Sequence, residues 1–154
     1  MAVQVSRRIG ASAAVVFSVL ADPARHTELD GSGMLRGAVT TTPVGAVGDV
    51  FVMKMHFPAL GDYQMINHVV EFERDRRIAW EPEAGPGHPE EGGGRWGHRW
   101  SYDLIPDGPD ATIVTEAYDC SRLAAEDRAG MDDGEVWIED MTKTLERLEQ
   151  ACAT

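Results

Sequence analysis

The C-terminal part of the chain carries the pattern that most limits its fold. From Ile138 to Cys152, apolar residues recur at steps of three and four, which is the spacing of one face of an α-helix. The pattern predicts an amphipathic helix from Asp133 to about Cys152, with Asp132 and Asp133 supplying capping acceptors at its start. At ~1.5 Å per residue this helix is roughly 28–30 Å long. A helix of that length with a single apolar stripe needs a broad apolar surface to pack against.

The chain before this helix mostly shows the two-residue period of β-strands. We predict a first strand at residues 2–9 and short helices at 13–20 and 22–29. The segment 82–94 is so rich in Gly, Pro and Glu that it predicts an unpacked, mobile loop. Further strands are predicted at Met34–Thr42, Asp49–Phe57, Tyr63–Glu73, Ile78–Glu81, Arg95–Ile105 and Thr112–Tyr118. The fold class is therefore α+β, with a curved antiparallel sheet lying against the C-terminal helix.

Length and charge limit the domain organisation and the partners. A chain of 154 residues is expected to form a single domain, residues 1–154. Its 26 acidic and 14 basic residues give a net charge of −12, which disfavours nucleic acid as a partner. No apolar run approaches ~18 residues, so no membrane insertion is expected. We predict that Cys120 and Cys152 lie near opposite ends of the terminal helix, too far apart to form a disulfide. Both cysteines are then expected to be reduced, which predicts a cytoplasmic protein. A homodimer remains possible.

The order of elements, together with four sequence tracts, resembles the START/Bet v 1-like (SRPBCC) superfamily. The tracts are Ala21–Pro23, His26–Gly37, Trp100–Pro106 and Ala111–Glu116. Within that superfamily the chain looks most similar to the bacterial polyketide cyclase/dehydrase-type branch. The resemblance implies a helix-grip fold, in which a seven-stranded sheet wraps around the C-terminal helix and leaves an apolar cavity between them. The superfamily contains cyclases, dehydratases, hydrolases, lipid carriers and hormone receptors, so the resemblance is specific for the fold.

Strand alternation predicts which side chains face that cavity. In Tyr63–Glu73 the two faces are nearly balanced, and placing Glu71 and Glu73 in water turns Ile66 and His68 inward. A wall rich in Met and Trp indicates a pocket for an apolar or aromatic ligand, although the same residues could simply form a core under the helix. The predicted ligand-binding residues are Phe51, Met53, Met55, Ile66, His68, Trp80, Trp96, Trp100, Tyr102, Val114, Trp137 and Met141.

A hairpin centred near Gly108 brings polar side chains together on the inner wall. It places Trp100 opposite Glu116 and His98 opposite Tyr118, so that His98 and Glu116 are diagonal neighbours, ~7–8 Å apart at the backbone. A carboxylate there would fix the imidazole tautomer and raise its basicity, as a general base requires. Tyr118 or Tyr102 could donate a hydrogen bond to a carbonyl or enolate oxygen. The alternative is a buried network that satisfies itself or orients a ligand without chemistry.

Two functions of different class follow from these observations. The first is binding of a hydrophobic or aromatic small molecule, or a polyketide-like or lipid-like compound, between the sheet and the helix. The second is a cofactor-free cyclase, dehydratase or aromatase with His98 as base, Glu116 as its orienting carboxylate and Tyr118 as oxyanion donor. No metal and no cofactor is predicted, because the sequence contains neither HExxH nor a phosphate-binding loop. His26 is interpreted as a surface or capping residue and His88 as a solvated loop residue.

Overall fold

Seven antiparallel strands form one sheet, and a long C-terminal helix packs against its inner face. The computed structural model describes residues 2–153 of the chain. The strands are β1 (Ala2–Ile9), β2 (Leu35–Ala38), β3 (Val50–Phe57), β4 (Gly61–Glu73), β5 (Arg77–Ala84), β6 (Arg99–Pro106) and β7 (Thr112–Asp119). The helices are α1 (Ala13–Leu20), α2 (His26–Leu29), α3 (Ala125–Gly130) and α4 (Ile138–Cys152), with 3₁₀ turns at Pro23–Arg25 and Asp132–Trp137. The strand order is β1-β7-β6-β5-β4-β3-β2, and the predicted α+β helix-grip fold is confirmed.

The first part of the chain folds as its capping residues indicate. The Ser12 side chain accepts a hydrogen bond from the Val15 N–H at the start of α1. Asp22 caps the following turn through the Ala24 N–H, with Pro23 at the first helical position. These short helices connect β1 at one edge of the sheet to β2 at the other edge.

The terminal helix begins five residues later than predicted. Asp133 and Gly134 have φ values of 53° and 94°, so the backbone is left-handed where the sequence pattern predicted helix. Gly134 is buried against the ring of Tyr118, and a Cβ atom at Gly134 would lie 3.0 Å from Tyr118 Cδ2 and 3.3 Å from Val3 Cγ2. This close approach favours glycine in a left-handed conformation, which ends any helix running through it. From Ile138 to Cys152 the prediction is confirmed.

The space between sheet and helix is filled at one end only. The C-terminal half of α4 buries Leu145, Leu148 and Ala151 in a core shared with α1 and the neighbouring strands. Phe17 from α1 packs edge-on against Phe72 from β4, with 5.3 Å between ring centroids. The N-terminal half of α4 lies instead over an unfilled volume. The core therefore fixes the helix against the sheet and leaves the other end free to form a cavity.

The segment predicted as an unpacked loop is partly built into the sheet. Pro82 and Ala84 are buried in β5, opposite Asn67 and Met65 of β4. The Gln64 N–H then donates to the Pro86 carbonyl at 2.8 Å, which holds the first loop residues against β4. The prediction for 82–94 is wrong for these residues, because strand pairing satisfies the backbone groups that the composition suggested would stay in water.

The two cysteines occupy different surroundings. Cys120 is buried beside Tyr118 and Met141, whereas Cys152 lies partly buried near the end of α4. Both thiols are free. Within residues 2–153, no helix combines the length and the apolar character needed to cross a lipid bilayer.

Candidate functional site

A cavity of about 400 Å³ lies between the inner face of the sheet and the N-terminal half of α4. Phe57 and Leu60, which are 43% and 37% exposed, mark its mouth at the tip of the β3–β4 hairpin. The inner end is closed by α2, the middle of the sheet and α4. The structure places these predicted ligand-binding residues on its wall: Phe51, Met53, Met55, Trp80, Trp96, Trp100, Tyr102, Trp137 and Met141.

Three predicted ligand-binding residues lie outside the cavity. His68 Nε2 lies 2.7 Å from Glu83 Oε1 and Ile66 lies beside Gly85, both on the outer face of the sheet. Val114 faces inward, but it is fully buried in the core. These three assignments are therefore wrong as contributions to the cavity wall, and Tyr63, Met65 and Asn67 take the inward positions of β4 instead.

A β-bulge explains the error in β4. The β4–β5 register shifts between Val69 and Glu71, so that one extra residue separates the two parts of the strand. Phe72 faces inward, and Glu71 faces the outer side, as predicted, where it pairs with Arg77. Carrying the alternation from Phe72 back through the bulge reverses every preceding side chain, because the side-chain period of a strand is two.

The β6–β7 register differs from the prediction by two residues. Tyr102 lies opposite Glu116 and Trp100 lies opposite Tyr118. The hairpin loop is centred on Pro109, and the Asp107 N–H closes it by donating to the Ala111 carbonyl at 2.9 Å. Moving the centre of a hairpin by one residue changes the pairing by two, which preserves the faces but changes the neighbours.

His98 is paired with Tyr118 and not with Glu116. His98 Nδ1 lies 2.6 Å from Tyr118 Oη, and His98 Nε2 is buried without a hydrogen-bond partner. Burial lowers the pKa of His98 to about 4, although the charge of Glu81 acts in the opposite direction. The predicted increase in His98 basicity is therefore wrong, because no carboxylate contacts the ring and desolvation dominates. At neutral pH the imidazole is uncharged.

The tautomer of His98 depends on where the Tyr118 hydroxyl donates. Tyr118 Oη also lies 3.7 Å from Met131 Sδ, so its hydrogen can point either to that sulfur or to His98 Nδ1. In the first arrangement His98 donates from Nδ1 and Nε2 carries a lone pair. In the second, Nε2 carries the hydrogen. The cavity can thus present either an acceptor or a donor at this position.

Glu116 forms the second polar group on the wall. Its Oε2 atom accepts a hydrogen bond of 2.9 Å from the Tyr102 hydroxyl, and its Oε1 atom is buried without a partner. Burial raises the pKa of the Glu116 carboxyl to about 8, while the Tyr102 hydrogen bond acts in the opposite direction. Glu116 is therefore mostly protonated and neutral at pH 7, and not the charged carboxylate that the sequence suggested.

The charges of the cavity wall have one sign. Beside the neutral Glu116, the wall contains the acidic residues Asp30 and Asp140, and among residues 2–153 no Lys or Arg lines the cavity. The arginines of the central strands point to the outer face, where Arg99 and Arg77 pair with Glu81 and Glu71. The inner surface therefore offers aromatic rings, thioethers and carboxyl groups without a cation to balance them.

Sequence reasoning missed two histidines of the wall. His26 is only 7% exposed, with Nε2 2.7 Å from the Leu20 carbonyl and its ring stacked on Trp80 at 5.6 Å between centroids. Burial lowers the pKa of His26. His88 is partly buried between Tyr63 and Trp96, at 5.2 and 5.4 Å between centroids. The surface interpretation of His26 is wrong, whereas its contact with the last carbonyl of α1 agrees with the capping alternative. The interpretation of His88 as a solvated loop residue is wrong. The i,i+3 spacing of His26 and the apolar residue Leu29 places both on one face of a helix and could have indicated that His26 is buried.

Metal-ligand geometry is absent from the described part of the chain, where no group of three or more His, Cys, Asp or Glu side chains converges as a metal site would require. The polar groups on the wall are instead dispersed. His98 and Tyr102 are four residues apart along β6 and the segment leading into it, so their Cα atoms are roughly 13 Å apart. The site thus has two polar positions separated by aromatic surface.

Solved structures with the same fold come from bacteria and from a plant. Protein Ms6760 from Mycobacterium smegmatis has a TM-score of 0.71 at 12% identity, covering 99% of this chain and 90% of that protein. A norcoclaurine synthase point mutant from Thalictrum flavum, in complex with a transition-state analogue, has a TM-score of 0.65 at 11% identity, covering 99% and 94%. At these identities the similarity establishes the fold alone, which is Bet v 1-like.

The sequence relatives are uncharacterised proteins, so the similarity to them assigns no activity to this chain. The uncharacterised protein Rv0088 from Mycobacterium tuberculosis strain H37Rv is 34% identical over 114 residues, which is 74% of this chain and 45% of that protein. The uncharacterised protein MT0096 from strain CDC 1551 is 33% identical over the same length. This chain thus spans about half the length of the curated relatives that it matches. No protein-family model matches the chain.

Proposed function

We propose that this chain, a Bet v 1-like fold, binds a hydrophobic or aromatic small molecule in the cavity between its sheet and α4. The observation that carries the proposal is an apolar cavity with three buried polar atoms, His98 Nε2, Glu116 Oε1 and Trp137 Nε1, that have no hydrogen-bond partner on the protein. An unsatisfied buried polar atom costs about 1–3 kcal/mol. Water could hydrogen-bond to these atoms, but it makes no hydrogen bonds with the surrounding methionines and tryptophan ring faces. A largely apolar ligand with polar substituents matches both the apolar wall and the buried polar atoms.

The size and lining of the cavity support a small ligand. At about 400 Å³ it falls in the range of roughly 300–1,000 Å³ that small-molecule sites occupy. Methionines at Met53, Met55 and Met65 adapt to irregular ligand shapes, while Trp80 and Trp100 supply flat contact surface. An empty cavity destabilises a fold, so a chain that needed only a core would gain by filling this volume.

Blocking the cavity tests the proposal. Met53→Trp places an indole inside the cavity, and we expect at least about a tenfold loss of affinity for a neutral fluorescent naphthalene probe. Lys54→Trp is the matched control, since it adds the same side chain on the outer face of β3. Binding is measured by fluorescence titration, and the urea midpoint of each variant shows whether it is folded.

A second blocking variant separates misfolding from blocking. Met55→Trp lies closer to the mouth, where its side chain is partly buried and more easily accommodated. If both blocked variants fold and still bind as tightly as Lys54→Trp, the probe binds elsewhere and the cavity is not the site. As an independent test, native mass spectrometry of protein from its own host is expected to show a co-purified ligand on the wild type and none on Met53→Trp.

The second candidate function is a cofactor-free cyclase or dehydratase of the polyketide cyclase/dehydrase type. The favouring observation is that burial shifts the pKa values of His98 and Glu116 in opposite directions, to about 4 and about 8. Groups whose pKa values are separated by their surroundings are typical acid–base pairs. The catalytic roles then differ from those predicted. Glu116 is the acid, His98 the base, and Tyr118 holds His98 through Nδ1 as a positioning residue.

These residues account for every proton transferred in a dehydration. His98 Nε2 accepts the α-proton of a β-hydroxy carbonyl compound, and the C–H electron pair forms the carbon–carbon double bond. The Cβ–O bond breaks, and Glu116 donates its proton to the departing hydroxyl, which leaves as water. Solvent then returns the proton from His98 to Glu116. Because a pKa of about 4 makes His98 a weak base, the substrate needs an acidic α-carbon, such as one between two carbonyl groups.

His98→Ala distinguishes the two candidates. A catalyst is expected to lose ~10²–10⁴-fold in rate on an aryl β-hydroxy diketone while retaining most of its affinity. His68→Ala is the control, because His68 pairs with Glu83 on the outer face of the sheet. Turnover is followed by the absorbance of the conjugated product. Equal rates for both variants and the wild type would exclude His98 as the base, and binding without turnover by the wild type would leave the carrier function alone.

A further inference from the structure

The inner end of the cavity contains a built hydrogen-bonding position, formed by Glu116 and Tyr102. We propose that this pair recognises a neutral oxygen acceptor on the ligand, a ketone or quinone carbonyl next to aromatic rings, and that the cavity rejects carboxylates. This inference rests on the proposed function and specifies the chemical class of its ligand. It is carried by the geometry of one carboxyl group and by the charges that surround it.

The carboxyl group of Glu116 is oriented by a single contact. Tyr102, itself 5% exposed, donates to Oε2 and thereby fixes which oxygen is occupied. Oε1 belongs to a residue that lines the cavity and is 4% exposed, yet it has no partner. A proton on Oε1 makes it a donor held in place by the Tyr102 bond. Its complement on a ligand is an oxygen that accepts a hydrogen bond and carries no hydrogen.

The surroundings of Glu116 keep this proton in place. Burial raises the pKa of the Glu116 carboxyl to about 8, against the opposing effect of the Tyr102 hydrogen bond, and the like charge of Asp30, in the loop after α2, adds a smaller increase. The other titratable groups on the cavity wall are Tyr63, Tyr102 and Tyr118 on the sheet, His88 in the loop after β5, Asp140 on α4, and the rings of His26 and His98. Among residues 2–153, no Lys or Arg lines the cavity to stabilise an anion.

The same charges exclude an anionic ligand. A carboxylate entering the cavity would be desolvated near Asp30 and Asp140 without a cationic partner, in a chain of net charge −12. Burying an unpaired charge costs several kcal/mol. A hydrocarbon avoids this cost but leaves Oε1 unsatisfied. A neutral carbonyl both avoids the charge and accepts the hydrogen bond.

The walls beside Glu116 favour flat rings next to the carbonyl. Trp80 lies 5.7 Å from Tyr102 between ring centroids, and Phe51 packs edge-on against Trp80 at 5.2 Å. Further toward the mouth, Trp100 lies 4.4 Å from the Tyr118 ring. Aromatic faces of this kind bind aromatic ligands by stacked or edge-to-face contact. Aryl ketones and quinones therefore combine the two features that the site recognises.

Four naphthalenes substituted at the same ring position test the inference. They are acetylnaphthalene, ethylnaphthalene, naphthoate and aminomethylnaphthalene, which place a carbonyl, no acceptor, an anion and a cation at one point. At about pH 6.5 we expect the ketone to bind roughly fivefold to tenfold more tightly than the ethyl compound, since a net hydrogen bond contributes about 1 kcal/mol. Naphthoate should bind at least about fiftyfold more weakly than the ketone.

Two variants assign the effect to Glu116. As the pH rises through about 8, Glu116 loses its proton, and the preference of the wild type for the ketone over the ethyl compound is expected to disappear. Glu116→Gln should retain that preference at about pH 6.5 and at about pH 9.5, because an amide N–H donates at any pH. Glu139→Gln makes the same substitution at an exposed position of α4 and should behave as the wild type.

The outcomes separate this inference from the proposed function. Equal binding of ketone, hydrocarbon and naphthoate, without pH dependence, would overturn the inference and leave ligand binding intact. Tightest binding of the amine would also overturn it, because Glu116 would then act as a carboxylate anchor for a cation. If none of the four probes binds, including the hydrocarbon, the proposed function itself fails and the inference fails with it.

Discussion

Glu116→Gln is expected to stabilise the unliganded protein by about 2–4 kcal/mol at pH 8.5, although it removes a group of the proposed site. The pKa of the Glu116 carboxyl is about 8 in the folded protein, against 4.5 in a freely solvated chain. At any pH between these two pKa values, Glu116 holds a proton in the folded state that it has released in the unfolded state. The contribution of Glu116 to stability is therefore fully present below about pH 4.5 and is lost progressively as the pH rises to about 8. Glutamine is neutral throughout and can still accept from Tyr102.

Urea unfolding at several pH values measures this effect. The difference in unfolding free energy between Glu116→Gln and the wild type should be small near pH 5 and should grow toward pH 8.5. His98 has the opposite dependence, because its lowered pKa disfavours protonation of the folded state between about pH 4 and pH 6.5. Taking the difference between two proteins that both contain His98 removes its contribution. Glu139→Gln, at an exposed position, is expected to show no such slope. A destabilised Glu116→Gln at pH 8.5 would contradict the assignment of a buried neutral acid.

Gly31→Ala is expected to destabilise the fold by about 3 kcal/mol, through overpacking between the loop after α2 and the helix α4. A Cβ atom at Gly31 would lie 2.7 Å from Lys143 Cβ and 2.9 Å from Thr144 N, and closer still to the Asp140 carbonyl oxygen. Helix backbone cannot yield as a flexible side chain can. The Gly31 N–H also donates to Thr144 Oγ1 at 3.0 Å, so separating the two segments breaks that bond as well.

Gly10→Ala is the matched control for Gly31→Ala. A Cβ atom at Gly10 meets no heavy atom within 4 Å, and its φ is not in the left-handed region. We expect its unfolding free energy to remain within about 0.5 kcal/mol of the wild type. Urea midpoints of the two variants provide the comparison. If Gly31→Ala unfolds at the wild-type midpoint, the loop does not approach α4 this closely, and the wall of the cavity at Asp30 is not held by this contact.

Much of the fold could be predicted because it follows from local patterns. Helical spacing in 138–152 and alternation in β3 and β6 depend only on which side chains must leave water. Capping at Ser12 and Asp22 likewise depends on a few neighbouring residues. These features gave the class, the element order and most of the inward-facing aromatic residues.

The chemistry of the site could not be predicted because it depends on single-residue details of pairing. One residue in the centre of the β6–β7 loop decides whether Glu116 faces Trp100 or Tyr102, and both alternatives bury the same side chains. The bulge after Val69 has no sequence mark that distinguishes it from a regular strand. The protonation of Glu116 then follows from its burial in a cavity whose described wall contains no cation, which is a property of the assembled fold.

The edge position of β1 has a consequence for how the chain reaches this structure. β1 lies at the edge of the sheet and pairs with β7, with Ala2 opposite Asp119. The first strand therefore cannot pair until the last strand has been synthesised. A ribosome adding roughly 5–20 residues per second leaves β1 unpaired for several seconds while the intervening strands are made. The helix that covers the aromatic wall is synthesised later still. Such long-range closure makes folding slow, and during synthesis it leaves the aromatic wall of the future cavity uncovered, as a surface on which chaperones or aggregation can act.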